Sequence, residues 1–192
     1  EWMVMEKGRD GDRATYAARF AWIARWLPED RLTTTELMAS TRHRTKIDLE
    51  RLTGIHERRV SEGEEDSYSL ATGAALDCLR RSGHDAADLD VVVSCSITKY
   101  RDGLVHRFEP PMSMAVAQAI GATNAVTFDV ANACAGTLTG VFILNNMIRR
   151  GAARRGLVVS GEYISQLGRN AAKHVHNILS RELASLTLGD AG

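Results

Sequence analysis

Three short apolar runs, each separated from the next by a helix-like segment, constrain the fold of this 192-residue chain more than any other feature. The runs are DLDVVVSCSIT, AVTFDVANA and RRGLVVSGEYIS. A continuous apolar run is typical of a strand that is covered on both faces. Repeated strand–helix units of this kind predict an α/β fold, with a mostly parallel sheet and helices on both faces.

The helix-like segments have recognisable ends. SYSLATGAALDCLRRSG stops at Gly83, and PPMSMAVAQAIG begins with prolines and stops at Gly121. Proline at a helix start and glycine just past its end are the favoured residues there. We interpret residues 1–17 as a loose leader, because they are polar and without clear periodicity, and residues 18–192 as one folded part. The closing LTLGDAG reads as a strand entering a turn, so we expect a larger folded unit of which this chain is a piece.

Composition argues against several classes of partner. Lys plus Arg equals Asp plus Glu at 24 each, so bulk charge favours neither nucleic acid nor a membrane surface. No apolar run approaches the length of a membrane span. His174 and His176 form an isolated HxH with no evident third ligand, so exposed side chains are favoured over a metal site. We therefore expect no metal and no cofactor.

The three cysteines are an odd, widely spaced set, which indicates a reducing compartment such as the cytoplasm. Cys78 falls on an apolar helix face and Cys95 inside a strand run, so both are predicted core residues.

Cys134 differs because it lies where a strand ends and a helix begins. Side chains at this end of a parallel strand face the crevice in which α/β proteins bind ligands. Unpaired N–H groups of a first helical turn favour the thiolate and can hold an oxyanion. On position alone, a small buried core cysteine is the competing interpretation.

Several motifs, taken in order, resemble the thiolase-fold condensing enzymes of the β-ketoacyl-ACP synthase III type. They are LTGIHERRV, DSYSLATGAALDCL, DLDVVVSCSIT, FDVANACAG with GLVVSGE, and LTLGDAG. The resemblance covers Ala18 to Gly192. It implies the N-terminal half of a layered α/β/α/β/α fold, with Cys134 as the nucleophile that becomes acylated and whose N–H contributes to the oxyanion hole.

RFEPPMSMAVAQAIGATNAVTFDVANAC is also similar to the head-to-head acyl-CoA condensing enzymes of olefin synthesis and to the ketosynthases of dialkylresorcinols and cyclohexanediones. In that branch a glutamate before a proline acts as a base in the partner subunit. Here the matching residue is Glu109. The competing interpretation is an exposed residue at a helix start, where negative charge is favoured.

The chain also departs from the family pattern. The catalytic His and Asn of these enzymes belong to the C-terminal half, so we expect that half in another chain or segment. The early tryptophan that packs on the CoA adenine has no counterpart. Arg42, Arg44 and Lys46 stand in that region and could meet the phosphates of CoA or an acidic acyl carrier protein, although a solvated face is the alternative.

The resemblance thus implies an acyltransferase that performs a Claisen condensation of acyl-CoA or acyl-ACP thioesters through an acyl-cysteine. It also implies a homodimer paired through the strand near Gly156–Gly161. Three alternatives stay open: an acyltransferase that forms an ester or amide, a non-catalytic partner subunit of a ketosynthase heterodimer, and a structural α/β domain with a core cysteine.

Overall fold

The computed structural model describes residues 2–7, 18–42, 46–63 and 65–192, with only the backbone for residues 2–7. The strands of this part of the chain are β1 (Trp2–Lys7), β2 (Ala18–Ala24), β3 (Arg31–Thr33), β4 (Glu57–Arg59), β5 (Val91–Ser94), β6 (Tyr100–Arg101), β7 (Val105–His106), β8 (Val126–Asp129) and β9 (Arg155–Val159). The helices are α1 (Thr34–Ala39), α2 (Leu49–Thr53), α3 (Ser67–Ser82), α4 (Met112–Ile120), α5 (Gly136–Arg149) and α6 (Ser165–Ala172).

The chain divides into two compact units. We call Glu1–Trp26, Asp66–Glu162 and Gly192 the sheet unit, and Leu27–Glu65 with Tyr163–Ala191 the small unit. The expectation that residues 18–192 form half of a larger domain stays a prediction.

The sheet unit is built on a five-stranded sheet of order β2-β1-β9-β5-β8. Strands β9, β5 and β8 run parallel, with Val91 of β5 aligned with Gly156 of β9 and with Val126 of β8. Strand β1 is antiparallel to both of its neighbours, β2 and β9. The prediction of an α/β fold with a mostly parallel sheet is therefore confirmed.

Alternate residues of the central strands enter two different cores. Val92 of β5 and Leu157 of β9 pack with α3 and α4. Val93 of β5 and Val158 of β9 pack on the opposite face with α5. Since successive strand side chains point to opposite faces, strands covered on both sides must be apolar throughout, which explains the continuous runs in the sequence.

The predicted helix ends are confirmed for α3 and α4. Asp66 caps α3 by accepting a 2.8 Å hydrogen bond from the Ser69 N–H. Gly83 and Gly121 end α3 and α4 in left-handed conformations, with φ of 70° and 87°. Glycine adopts this conformation without the steric cost of a Cβ.

The prediction of a loose leader over residues 1–17 is wrong for its first part. Trp2–Lys7 form β1, which pairs through its backbone with strands on both sides. The run is only six residues long and is followed by polar sequence, so its periodicity did not stand out. Its backbone hydrogen bonds within the sheet explain its order. Residue 1 and residues 8–17 of the predicted leader lie outside the described residues.

The structure also corrects two predictions about individual strands. Strand β8 was predicted to be buried, but it lies at the sheet edge, and Val126 is 60% exposed. Strand β9, near which we expected dimer pairing, is hydrogen-bonded along both edges, to β1 and to β5. A strand paired on both sides has no free edge for a second subunit.

The small unit joins the two-stranded ladder β3–β4 to α1, α2 and α6 around a core that includes Leu37, Leu49 and Leu186. Thr33 caps α1 by accepting a 3.1 Å hydrogen bond from the Glu36 N–H. Asp190 is 2% exposed and accepts hydrogen bonds from Ser61 and Ser165. LTLGDAG therefore contains the end of the 3-10 segment Arg181–Thr187 and then the buried Asp190 carboxylate, in place of the predicted strand.

Over the part of the chain that the structure describes, no helix combines the length and apolar character needed to cross a bilayer.

Candidate active site

Cys134 is exposed on a short turn between the end of β8 and the start of α5. Residues Ala133–Ala135 form one 3-10 turn that leads directly into the helix. Ala133 has a φ of 41°, a left-handed conformation that a residue with a Cβ seldom adopts. Strain of this kind persists where the surroundings impose it, and it is frequent at functional sites. Here it reverses the chain sharply and presents the next side chain, Cys134, outward.

Polar side chains brace this turn. The Asn132 side-chain amide donates a 2.8 Å hydrogen bond to Thr139 Oγ1, and that hydroxyl donates at 2.9 Å to the Ala135 carbonyl. The first turn of α5 carries no side-chain cap, since its N-cap residue is Ala135. Amides of an uncapped helix start are available to an anionic group. The arrangement suits a developing oxyanion next to the Cys134 sulfur.

Helix α5 lies unusually close to the sheet because it carries glycines where it crosses β5. A Cβ built on Gly136 would lie 3.0 Å from the Cys95 carbonyl oxygen, and one on Gly140 would lie 2.6 Å from the Cys95 Sγ. Further along the helix, Leu144 and Ile148 are fully buried. Each such side chain contributes about 1.5–3 kcal/mol of hydrophobic stabilisation. The helix start that holds Cys134 is therefore fixed on a rigid support.

The other two cysteines lie in the core, as predicted. Cys78 is fully buried in α3, and Cys95 is 4% exposed beneath α5. Burial raises the pKa of Cys95 to about 11, although a backbone hydrogen bond from Gly140 acts in the opposite direction. All three cysteines are free thiols, and Cys134 is the exposed one.

Asp129, the last residue of β8, connects three segments around the site. Its carboxylate pairs with the Lys99 ammonium and accepts hydrogen bonds from the backbone N–H groups of Met112 (3.3 Å) and Ser113 (2.9 Å). Those two residues begin α4, so Asp129 caps a helix remote from it in sequence. Burial opposes ionisation, but the hydrogen bonds from Lys99 and Ser113 and the charge of Lys99 outweigh it and lower the pKa of Asp129.

Sequence reasoning missed Asp129, Asn132 and Thr139. The available signal for Asp129 was a charged residue at the end of an apolar strand run, five positions before Cys134.

Glu109 is exposed and lies three residues before α4. It is followed by Pro110 and Pro111, and the Glu109–Pro110 peptide bond is cis. Glu109 and Cys134 belong to the same unit, and the α4–β8 connection and Asp129 link their segments.

The predicted cationic region lies in the small unit. Lys46 lines a cavity of about 600 Å³ together with Arg51, His176 and the apolar side chains of Leu52 and Ile178. Leu52 and Ile178 are 56% and 59% exposed. Asp48 also lines the cavity, but its carboxylate accepts a hydrogen bond from the Arg51 backbone N–H as the cap of α2. The cavity thus combines two cations and one carboxylate with apolar groups, a lining that suits an anionic ligand with an apolar part.

The other two cations of the prediction do not line this cavity. Arg42 is exposed and its backbone N–H donates to the Ala172 carbonyl, whereas Arg44 lies outside the described residues. His174 and His176 are exposed. Among the described residues, no group of three or more His, Cys, Asp or Glu side chains could hold a metal ion.

Comparison with known proteins finds relatives of the segment that contains Cys134. The model of the family 3-oxoacyl-[acyl-carrier-protein (ACP)] synthase III matches residues 128–191, which include Cys134 and α5. The β-ketoacyl-[acyl-carrier-protein] synthase III of Clostridium tetani is 37% identical over 115 residues, covering 60% of this chain and 32% of that protein. The enzyme of the same name from Clostridium novyi is 31% identical over 152 residues, covering 79% and 44%.

Solved structures show the same fold. Cerulenin-bound OleA of Xanthomonas campestris superposes with a TM-score of 0.79 and 25% identity, covering 94% of this chain and 57% of that one. The priming β-ketosynthase of the R1128 polyketide biosynthetic pathway gives a TM-score of 0.72 and 28% identity, covering 95% and 50%.

The chain spans less than half the length of these two curated relatives and between half and three fifths of these two structures. Sequence motifs, fold and comparisons all agree with the resemblance found in the sequence. The chain is therefore a relative of the β-ketoacyl-ACP synthase III-like condensing enzymes of the thiolase fold, corresponding to part of their length.

Proposed function

We propose that this chain supplies the nucleophile of an acyl-thioester condensing enzyme, with Cys134 as the residue that becomes acylated. The supporting observation is the strained Ala133 turn, which exposes the Cys134 sulfur at the junction of a parallel strand and an uncapped helix start. A buried core cysteine, the competing interpretation from sequence, does not fit that exposure.

The first stage is acyl transfer. The Cys134 thiolate attacks the carbonyl carbon of an acyl-CoA or acyl-ACP thioester and forms a new carbon–sulfur bond. The carbonyl oxygen carries negative charge in the tetrahedral intermediate, which the N–H groups around Cys134 stabilise. The original carbon–sulfur bond then breaks, and the donor leaves as a thiolate.

The second stage forms a carbon–carbon bond. A second thioester becomes a carbanion, either by losing CO₂ or by losing an α-proton to Glu109 of the partner subunit. The carbanion attacks the acyl carbon on Cys134, the carbon–sulfur bond breaks, and a β-keto product leaves. We expect the residues that complete the site, a His and an Asn by the family resemblance, to come from outside these 192 residues. This scheme requires no organic cofactor or metal.

The cavity of the small unit supports a role in donor binding. Lys46 and Arg51 place two cations at its wall, and Leu52 and Ile178 add apolar surface. Phosphate groups of CoA or of a carrier protein's prosthetic arm would meet the cations, and the apolar surface would contact the less polar part of the donor.

We also propose a homodimer, now through β8 instead of β9. The N–H groups of Val126 and Val130 donate to Asp90 and Ser94 on the β5 side. Because neighbouring residues of a strand point their N–H groups to opposite sides, the Thr127 N–H faces the free edge. Thr127→Pro removes that donor while sparing the bonds to β5. Sedimentation velocity should show a monomer for this variant and a dimer for Thr127→Val, and a dimeric Thr127→Pro protein would refute pairing at this edge.

The decisive test of the enzyme proposal is intact-protein mass spectrometry of the complete assembly after exposure to a panel of acyl-CoAs. Wild type and Cys78→Ala, which lacks a buried thiol, should each gain one acyl group, and Cys134→Ala should gain none. Cerulenin, found bound in a solved OleA structure, is a second probe and should also require Cys134. A folded, complete assembly that no donor acylates would favour the non-catalytic partner subunit.

The product then separates the two enzymatic alternatives. Condensation gives a β-keto product from two thioesters, whereas the alternative acyltransferase gives an ester or amide from one thioester and an alcohol or amine. Chromatography with mass detection distinguishes these products. An acylated Cys134 with no β-keto product from any thioester pair would overturn condensation and leave acyl transfer.

A further inference from the structure

The Asp129 carboxylate is bonded to the segments on both sides of Glu109. On the C-terminal side, Asp129 accepts the backbone hydrogen bonds of Met112 and Ser113. Only Pro110 and Pro111 lie between Glu109 and Met112. Proline rings fix φ, so few free torsions separate Glu109 from the point at which its segment is held.

On the N-terminal side, Asp129 holds the start of the β6–β7 hairpin. Its carboxylate pairs with the Lys99 ammonium, and the side chains of the pair are 17% and 16% exposed. The Arg107 N–H donates a 2.9 Å hydrogen bond to the Lys99 carbonyl, which closes the base of the hairpin two residues before Glu109. The two ends of the segment Lys99–Ser113 are therefore tied to one side chain.

That side chain belongs to the strand that leads into the Cys134 turn. Asp129 is the last residue of β8, and Val130, which follows it, donates a 2.8 Å backbone hydrogen bond to Ser94. The backbone position of β8 thus sets both the start of the nucleophile turn and the anchor of the Glu109 segment.

We propose that Asp129 is a positioning residue for the condensation step: together with Lys99 it fixes the Glu109 segment relative to β8, the proposed dimer edge, and thereby relative to the active site of the partner subunit that Glu109 enters. This inference rests on the proposed function, in which Glu109 acts as the base that removes the α-proton. Misplacement of a catalytic group by about 1 Å can cost a hundredfold in rate. Loss of this anchor should therefore slow proton removal by Glu109 much more than the first acyl transfer to Cys134.

The test measures the two stages separately in the complete assembly, using stopped-flow acylation of Cys134 and single-turnover condensation with a non-decarboxylating acyl-CoA donor. Asp129→Asn should slow condensation about tenfold to a hundredfold and acylation less than threefold. Asp129→Glu should recover part of the condensation rate. The double variant Asp129→Asn with Lys99→Met avoids an uncompensated half-buried cation, and it should show the same split if Asp129→Asn folds poorly.

Asp88→Asn is the control, since it removes an exposed carboxylate that pairs with Arg155 at the other end of the sheet unit's strands. Hydrogen exchange at the Met112 and Ser113 amides gives a readout that is independent of activity. Protection there should fall in Asp129→Asn and persist in Asp88→Asn.

The outcomes separate the two proposals. If Glu109→Gln condenses as fast as wild type, the base role fails and the positioning role fails with it. If Glu109→Gln is slow but Asp129→Asn slows both stages equally, or leaves the amide protection unchanged, the positioning role alone is overturned. The positioning role is established if Asp129→Asn slows condensation selectively and also lowers the hydrogen-exchange protection of the Met112 and Ser113 amides.

Discussion

Gly140→Ala should destabilise the protein, although the same change in an ordinary helix would stabilise it. Alanine is preferred to glycine within a helix by about 1 kcal/mol. At Gly140, however, the added Cβ would lie 2.6 Å from the Cys95 Sγ and 3.0 Å from a methyl carbon of Val158. Overpacking of this kind costs about 1–3 kcal/mol. The net expectation is a loss of about 1 kcal/mol.

A second substitution tests whether the Cys95 sulfur is the cause. Cys95→Ala removes the atom closest to the new methyl group. In that background the Val158 methyl contact at 3.0 Å remains, so Gly140→Ala should leave the stability roughly unchanged, as the helix preference of alanine offsets the remaining contact. The coupling between the two positions is then about 1 kcal/mol, above the few tenths expected of independent sites.

Urea unfolding followed by circular dichroism measures each member of this double-mutant cycle. Leu138→Ala on the same helix is the control, because Leu138 is 73% exposed and should change stability by less than about 0.5 kcal/mol. A Gly140→Ala variant more stable than wild type, or one whose loss is unaltered by Cys95→Ala, would refute the close contact between α5 and β5.

Three further predictions concern charge and reactivity. Iodoacetamide should alkylate Cys134 in the native protein and should reach Cys78 and Cys95 only after unfolding; mass spectrometry showing native labelling of either buried thiol would contradict their burial. Because folding lowers the pKa of Asp129 from its ordinary value of 3.8, its ionised form adds stability at neutral pH that is lost as the pH falls through the folded-state pKa. The free energy of unfolding should therefore decline less steeply below about pH 4 in Asp129→Asn than in wild type, and identical acid titrations would show that the carboxylate adds nothing. Lys46→Ala should raise KM for acyl-CoA about threefold to tenfold, or about 0.7–1.4 kcal/mol. KM for an acyl-N-acetylcysteamine donor, which has no phosphates, should not change. An equal rise in KM for both donors would exclude a phosphate contact.

The parts of the fold that could be predicted from the sequence are those in which local pattern and tertiary burial agree. Val91–Ser94 and Arg155–Val159 lie between two helical layers, so every position except Arg155, at the start of its strand, is apolar or small, and the strands are visible as continuous runs. Gly83 marked the end of α3 because the left-handed conformation there favours glycine.

The features that were missed depend on relations distant in the chain. The burial of β8 was overestimated because an apolar strand at a sheet edge has the same sequence pattern as one in the middle. Nothing in Trp2–Lys7 indicates its position between β2 and β9, since that position is set by partners far along the chain. Asp129 likewise acts on amides that the sequence places 16 and 17 positions away.

The candidate site also contains features set by local sequence and features set by segments distant in the chain. The exposed position of Cys134 at a strand–helix junction could be predicted because the strand, the turn and the helix are contiguous in sequence, whereas its role as nucleophile stays a proposal. The Lys46 cavity could be foreseen only as a cluster of cations, because His176 and Ile178 join its wall from a segment about 130 residues further along the chain.

The central position of β1 has a consequence for folding kinetics. β1 pairs with β9, so Met3 must find Val158 across most of the chain before the sheet is continuous. Contacts between residues so far apart carry a large loop-closure entropy and slow the folding of a domain. The α3–β5–α4–β8–α5–β9 segment contains the shorter-range contacts and can form first, with the β1–β2 hairpin docking onto β9 last. Deletion of Trp2–Lys7 would remove the strand that lies between β2 and β9. Each of these two strands would then have an unpaired edge where β1 had been, and unpaired apolar edges promote aggregation.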